Sequence, residues 1–199
     1  MIAILDYGLG NLTSVERAFK RIGAEVKVTN NPNEIQNMDK IVLPGVGHFS
    51  KGMVQIKSTG FFDEINDFVL NKERPVLGIC LGMQLMTKSS EEGNIDGLGW
   101  INGYTKKIVT DLRIPHIGWN TLNFKNNSAL FKSEEEKAQY YFIHTYCIHC
   151  EEEKDIIATT NYGQDFVSVF QKNNIFGTQF HPEKSHEQGL EILKNFVNY

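Results

Sequence analysis

The first half of the chain alternates short apolar runs with amphipathic stretches. Residues 2–5 are continuously apolar over a strand's length, and the glycine-rich turn Asp6-Tyr7-Gly8-Leu9-Gly10-Asn11 leads into residues 12–22, where Val15, Ala18, Phe19 and Ile22 recur at helical spacing. Asn11 or Thr13 supplies a cap for that helix and Gly23 marks its end. Residues 25–28 read as the next strand, 30–33 as loop, 34–38 as a short helical piece and 40–43 as a third strand. Strands separated by helical segments predict parallel βαβ units and a doubly wound sheet. A further amphipathic helix over 61–71 sets Phe61, Ile65, Phe68 and Val69 on one side and leads to an apolar strand that ends at Cys80, after which Leu81, Met83, Gln84, Leu85 and Met86 are good helix formers.

From residue 98 the pattern breaks into short segments. Candidate strands fall at 98–101, 105–109, 114–119, 140–143, 156–160, 166–170 and 175–180, with some antiparallel pairing expected, and a last helix over 187–197 buries Leu190, Leu193 and Phe196. The expectation is one α/β domain over 1–199: a mostly parallel central sheet flanked by helices, with additional antiparallel strands in the C-terminal half.

Composition narrows the function. With 199 residues, 41% hydrophobic and 22% charged, the chain reads as a soluble globular protein, and no apolar run approaches the ~20 residues of a membrane span. Residues 1–6 lack the basic flank and apolar length of a signal peptide, so a cytoplasmic location is expected. A net charge of −4, a pI near 5.9 and dispersed basic residues argue against a nucleic-acid partner. The runs Glu134-Glu135-Glu136 and Glu151-Glu152-Glu153 read as solvated faces. Three cysteines, Cys80, Cys147 and Cys150, make no disulfide framework and fit a reducing compartment.

Chemistry concentrates at Cys80. A cysteine between Gly78 and Gly82, at a sharp turn from strand to helix, has the setting of a nucleophile elbow, because the strained backbone tolerates no bulky flanking side chains. The helix N-terminus favours the thiolate, and its free N–H groups, beginning with that of Leu81, can receive an oxyanion. The bland alternative is a buried cysteine packed as a small hydrophobe. A thiolate needs a base distant in sequence and close in space. The apolar run 175–180 delivers His181, Pro182 stops it, and Glu183 stands two residues on to orient the imidazole.

Other motifs are weaker. Gly8 and Gly10 resemble a phosphate-cradling loop but lack the third glycine, Thr13 standing in its place, and read as a structural turn. In Pro44-Gly45-Val46-Gly47-His48, at the end of the third strand, two glycines let a backbone N–H face a substrate carbonyl or rotate away, although the spacing fits a plain turn as well. Both this turn and Cys80 belong at carboxyl ends of strands, where open α/β sheets bind ligands, and so should adjoin. Cys147-Ile148-His149-Cys150 is half a zinc site with no second pair, so no metal is expected.

Together, Gly-Ile-Cys-Leu-Gly-Met-Gln at 78–84 and Gln-Phe-His-Pro-Glu-Lys-Ser at 179–185 resemble the class I, triad-type glutamine amidotransferases, over essentially the whole chain. The resemblance implies that family's fold, no cofactor, and hydrolysis of L-glutamine through a thioester on Cys80, with His181 as base and Glu183 as its orienter. It also implies an oxyanion site at Leu81, Val46 and Gly47 and glutamine bound by Gly45, Gln84, Glu92, Thr145 and Tyr146; His48 departs from the small residue the family carries there and reads as a rim residue rather than a catalyst. Pro115-His116-Ile117-Gly118-Trp119-Asn120 and the Pro-Gly-Val-Gly turn are similar to the histidine-pathway branch of the family. There His116, Trp119, Asn120 and Tyr141 would face the partner, a cyclase (β/α)8-barrel subunit that forms a heterodimer and receives the ammonia. Glutaminase activity would be low until that partner binds its nucleotide substrate, with the 45–47 turn as a plausible switch. Two rivals stay open. One is a paralogue feeding a sugar amidotransferase of surface-polysaccharide synthesis, suggested by Gly97-Leu98-Gly99-Trp100, Ser185-His186 and the 147–150 segment. The other is a catalytically silent regulatory scaffold, against which the intact Cys80, His181 and Glu183 set speaks.

Overall fold

Strand β1 (Ile2–Leu5) is buried along its whole length, as its unbroken apolar run requires of a strand covered on both faces. Helix α1 (Leu12–Arg21) follows, capped by Asn11, whose Oδ1 accepts the Ser14 N–H at 3.4 Å, and it buries Val15, Ala18 and Phe19. Strands β2 (Val26–Thr29) and β3 (Lys40–Gly45) complete the first units. The structure, a computed structural model, describes residues 1–132 and 138–199, so the acidic run at 134–136 lies outside the described residues.

Helix α2 (Phe49–Ser58) was not anticipated, although Phe49, Met53 and Ile56 lie at i, i+4 and i+7 and form its buried face. Its two lysines, serines and Gly52 dilute the apolar signal. The His48 ring caps it, Nδ1 accepting the Ser50 N–H at 3.2 Å. Helix α3 (Phe61–Asn66) widens into a π-helical turn over Asp67–Asn71, so the segment expected over 61–71 is helical but not uniform. Strand β4 (Val76–Cys80) passes directly into the short helix α4 (Leu81–Leu85).

After the elbow come β5 (Thr87–Ser90), β6 (Ile95–Asp96) and β7 (Ile101–Lys107). The polar run Ser89-Ser90-Glu91-Glu92-Gly93, whose composition is that of a loop, thus begins inside a strand, and the two strands expected at 98–101 and 105–109 are one, Ile101–Lys107. Polar residues pair here because β5 has β7 and β6 on its two sides. The remaining strands are β8 (His116–Thr121), β9 (Asn123–Phe124), β10 (Gln139–His144), β11 (Tyr146–Cys150), β12 (Ile156–Asn161), β13 (Asp165–Lys172) and β14 (Ile175–Thr178), followed by α5 (His186–Asn198).

The main sheet runs β2-β1-β3-β4-β14-β13-β11-β7-β5-β6, with β12 beside β13 and β9 beside β12. Its first five strands are parallel; β13, β11 and β7 then pair antiparallel. Alternate residues feed two cores: Ile2, Ile4, Val42 and Leu77 pack with α1 and α5 on one face, while Ala3, Leu5, Ile41 and Leu43 pack with α2 and α3 on the other. That is the doubly wound arrangement, and it lines up the carboxyl ends of β3, β4 and β14, with Gly45 opposite Cys80 and Thr178 opposite Ile79. The ribbon β8–β10 pairs separately and is tied to the segment after β14 by the His181 N–H to Tyr141 carbonyl bond at 2.9 Å. Among the described residues no helix is long and apolar enough to cross a membrane.

Candidate active site

Cys80 holds φ +54° and ψ −109°, a conformation a side chain rarely adopts, between β4 and α4. The strain persists because strand and helix fold back on each other at contact distance. A Cβ on Gly78 would come within 2.7 Å of the Met83 backbone, and one on Gly82 would collide with the Leu43 carbonyl oxygen. The thiol is 6% exposed; its Sγ lies 3.8 Å from the Ile143 carbonyl oxygen and 3.7 Å from Gln179 Nε2, which donates to it.

His181 leaves the tip of β14 two strands' width away from the turn at Gly45. Its Nδ1 lies 2.8 Å from Glu183 Oε1, and both side chains are almost completely buried. Pro182 opens the short turn that carries Glu183 back toward the ring, and Ser185 Oγ clamps the turn by donating to the His181 carbonyl at 2.6 Å while accepting the Tyr141 N–H at 3.0 Å. Burial disfavours a charge on the imidazole. The attraction of Cys80 and the contact with Glu183 together outweigh it and hold the His181 pKa well above the ordinary 6.5. The ring's Nε2 has no hydrogen bond of regular geometry, which leaves it free to exchange a proton with the sulfur.

A cavity of about 280 Å³ opens over Cys80. Val46, Gly47, Leu81, Gln84, Glu92, Thr145 and Tyr146 line it, with Pro115, Ile143 and His144, so eight of the expected residues, Cys80 included, converge there. Gly45 lies under the turn rather than in the wall, and Gly47 takes φ +115°, open to glycine. Gln84 Nε2 donates to the Tyr146 carbonyl and to Gln179 Oε1, both at 2.9 Å. Glu92 Oε2 accepts the Phe49 N–H at 2.7 Å, so one carboxylate serves both the start of α2 and the cavity.

The residues expected to face a partner divide. Trp119 is 42% exposed, stacked on His186 with ring centres 4.8 Å apart and edge-on to Tyr141, and Ile117 and Ile143 are exposed beside it. Asn120 is half-buried and donates to the Asn161 carbonyl at 3.0 Å. His116 does not reach that surface; its ring is turned inward and is 2% exposed. Cys147 and Cys150 belong to the two opposite cores of the sheet, as an odd spacing on one strand dictates, and so cannot share an ion. Among the described residues no group of three or more His, Cys, Asp or Glu is arranged to hold a metal.

The family profile described as "Glutamine amidotransferase class-I" matches residues 3–199. The chain belongs to the class-I glutamine amidotransferases. Curated relatives span both chains almost completely. "Imidazole glycerol phosphate synthase subunit HisH 2" of Methanococcus maripaludis is 45% identical, covering 99% of this chain and 98% of its own. "Imidazole glycerol phosphate synthase subunit HisH" of Leptospira borgpetersenii is 43% identical with 100% of each covered. Among solved structures, "Structure of PurLQS from Thermotoga maritima" superposes with a TM-score of 0.77 at 17% identity, covering 100% of this chain and 97% of that one. The "glutaminase domain with bound acivicin" of Trypanosoma brucei CTPS gives 0.68 at 16%, covering 99% and 93%. Both share the amidotransferase fold.

Three residues around this amidotransferase site escaped the sequence reading. Tyr7 is fully buried and its hydroxyl donates to the Pro44 carbonyl at 2.7 Å; burial, and secondarily the charge of Cys80, push its pKa upward. Gln179 bridges Gln84 and Cys80, and Ser185 clamps the His181 turn. The latter two stood inside the motif at 179–185; Tyr7 had no signal beyond its place at a strand's carboxyl end.

Proposed function

We propose that this chain is the glutaminase subunit of imidazole glycerol phosphate synthase, hydrolysing L-glutamine to glutamate at Cys80 and passing ammonia to a cyclase (β/α)8-barrel subunit in a heterodimer. The observation that carries the reading is the Cys80 thiol at a strained elbow beside a buried His181–Glu183 pair, under a cavity with room for a small amino acid. His181 takes the thiol proton, and Sγ attacks the side-chain carbonyl carbon. As the C–N bond breaks, the imidazole returns that proton to nitrogen, releasing ammonia and leaving a thioester. Water, deprotonated by His181, then frees glutamate and restores the thiol.

Glu183 fixes the imidazole tautomer and orientation. N–H groups of Leu81 and the Val46–Gly47 turn receive the oxyanion, and the carbonyls and side chains of Gln84, Glu92, Thr145 and Tyr146 hold the glutamine. No cofactor is called for by an acyl transfer of this kind. The exposed apolar face formed by Ile117, Trp119 and Ile143, with Tyr141 beside it, supports docking of the partner there. The chain works as one domain over 1–199, in the cytoplasm.

The test is reconstitution with the cyclase subunit of a histidine pathway. Cys80→Ala should abolish glutamate release while ammonia-dependent synthesis by the complex continues, and a wild-type complex that makes no glutamate would overturn the reading. A second reading is a paralogue serving another ammonia acceptor, which the Gly97-Leu98-Gly99-Trp100 and Ser185-His186 segments suggest. Growth without histidine after deletion of the gene is the outcome that paralogue requires.

A further inference from the structure

In the cavity wall, at His144, and directly behind it, at His116, lies a histidine pair that the reaction above does not use. Register between β8 and β10 sets His116 opposite His144, with His116 Nδ1 and His144 Nε2 3.0 Å apart. Fixed neighbours decide where the protons are. The Tyr146 carbonyl oxygen only accepts, so His144 Nδ1, 2.8 Å away, donates to it and His144 Nε2 is left as an acceptor. His116 Nδ1 therefore donates, and His116 Nε2 is in turn an acceptor facing the Asn120 amide nitrogen at 3.4 Å. That amide cannot turn over, because its oxygen accepts the Thr121 N–H at 2.9 Å and its nitrogen donates to the Asn161 carbonyl at 3.0 Å. A second proton on either ring would meet an N–H already pointing at it.

The rest of the surroundings is apolar or remote from charge. Phe142 and Tyr162 stack on His116, and Phe166 lies edge-on to both imidazoles. The titratable groups that face the pair are Tyr162 on His116 and, toward the active site, His181, whose charge acts on His144; the Cys80 thiol lies against the Ile143 carbonyl next in the chain. Burial pushes His116 down to about 4 and His144 to about 3, the latter further disfavoured by His116 and His181. From the Tyr146 carbonyl the hydrogen bonds continue through Gln84 and Gln179 to the Cys80 sulfur.

We propose that His116 is a positioning residue for glutamine hydrolysis: its Nδ1–H occupies His144 Nε2, keeping that ring uncharged next to His181 and holding the Tyr146 carbonyl where Gln84 meets it. The proposal rests on the reading of Cys80 and His181 as the hydrolytic pair. A cation at residue 144 would repel the imidazolium that forms when His181 takes the thiol proton, and so oppose attack by the sulfur.

The experiment compares His116→Leu with His116→Asn in the complex with the cyclase subunit, since Asn places an amide N–H where Nδ1–H stood and Leu does not. In the Leu variant the acid limb of the kcat/KM profile for glutamine should move up by about one pH unit, with the loss approaching about tenfold at pH values below both limbs and vanishing at pH 8.5. Asn should return the limb to its wild-type position. Imidazole nitrogen NMR on the wild type should give His144 as the neutral Nδ1–H tautomer down to pH 5.5, a measurement that stands even if the variants do not fold. An Nε2–H or charged His144, an unmoved acid limb in a folded Leu variant, or Asn behaving like Leu would each overturn the proposal. A wild-type complex without glutaminase activity would instead sink the hydrolytic reading, with the NMR result left to decide the tautomer separately.

Discussion

Gly45 and Cys80 are register partners at the ends of the parallel strands β3 and β4, so the turn that follows Gly45 meets the thiol with no intervening loop. The approach leaves no space for a side chain. A Cβ on Gly45 would lie 2.6 Å from the Tyr7 hydroxyl, 2.8 Å from Leu81 Cβ and 2.9 Å from the Gly82 nitrogen, all held by buried structure. Gly45→Ala should therefore push the Val46–Gly47 turn off the sulfur. Glutamine hydrolysis is expected to fall about 10²-fold through loss of one oxyanion donor, with an overpacking cost of about 1–3 kcal/mol in urea unfolding. Steady-state glutaminase kinetics in the reconstituted complex check it; a loss below fivefold would show that the turn plays no part in the reaction.

Glu183 acts on His181 through one 2.8 Å contact and a shared burial. Glu183→Gln keeps an oxygen for the Nδ1–H but removes the charge that stabilises the imidazolium. The expected result is a drop in kcat for glutamine of about 10²-fold or more, a KM changed only severalfold, and unaltered ammonia-dependent synthesis. A raised KM with normal kcat would move Glu183 from orienting the base to binding substrate.

The strain at Cys80 has a thermodynamic signature. With φ at +54° and ψ at −109°, glycine suits the backbone better than any residue bearing a Cβ. Cys80→Gly should be more stable than Cys80→Ala by about 1–2 kcal/mol, the reverse of the usual order inside an element, while both lack glutaminase activity. Equal stabilities by chemical denaturation would mean that the elbow is relaxed.

How much of this was legible in the sequence differs by residue. The elbow at Cys80 could be read because strand, glycine and helix signals coincide within ten residues, and the parallel half of the sheet because β1, β3 and β4 are buried on both faces and so are unbroken apolar runs. Helix α2 was missed because its apolar positions are only Phe49, Met53, Val54 and Ile56 among polar residues, and Val54 faces out. Strand β5 was missed because Thr87-Lys88-Ser89-Ser90 carries no apolar alternation; its backbone pairs with two neighbours regardless. The inward turn of His116 could not be seen either. In β8 the burial alternates, with His116 in and Ile117 out, opposite to what side-chain polarity suggests, because stacking on Phe142 and Tyr162 and the bond to His144 satisfy the imidazole inside.

Trp119 offers a test of the docking face. It is half exposed and packs flat on His186 rather than into the core, so Trp119→Ala should leave the free chain's thermal stability within about 1 °C. The same change should weaken association with the cyclase by about 10- to 30-fold, the cost of a lost aromatic anchor. Titration calorimetry on the two purified proteins reads this directly. Undiminished affinity would move the interface away from the β8–β10 ribbon.

The buried histidines predict how stability depends on pH. His116 and His144 have folded values pushed down to about 4 and about 3, below the ordinary 6.5 they regain on unfolding, so the unfolded chain binds more protons as the solution is acidified. Their contribution is complete above about pH 6.5 and is lost as pH falls toward those folded values. Between pH 6.5 and 5 each should cost roughly 1.5 kcal/mol, or roughly 3 kcal/mol for the pair, while His181, held upward by Cys80 and Glu183, stays protonated when folded and at least half so when unfolded, and changes little. Urea unfolding of the free chain at the two pH values measures the difference. A stability that is flat across that interval would mean that at least one of the two rings opens to solvent and titrates normally, and the argument that their protons are fixed by Asn120 and the Tyr146 carbonyl would fail with it.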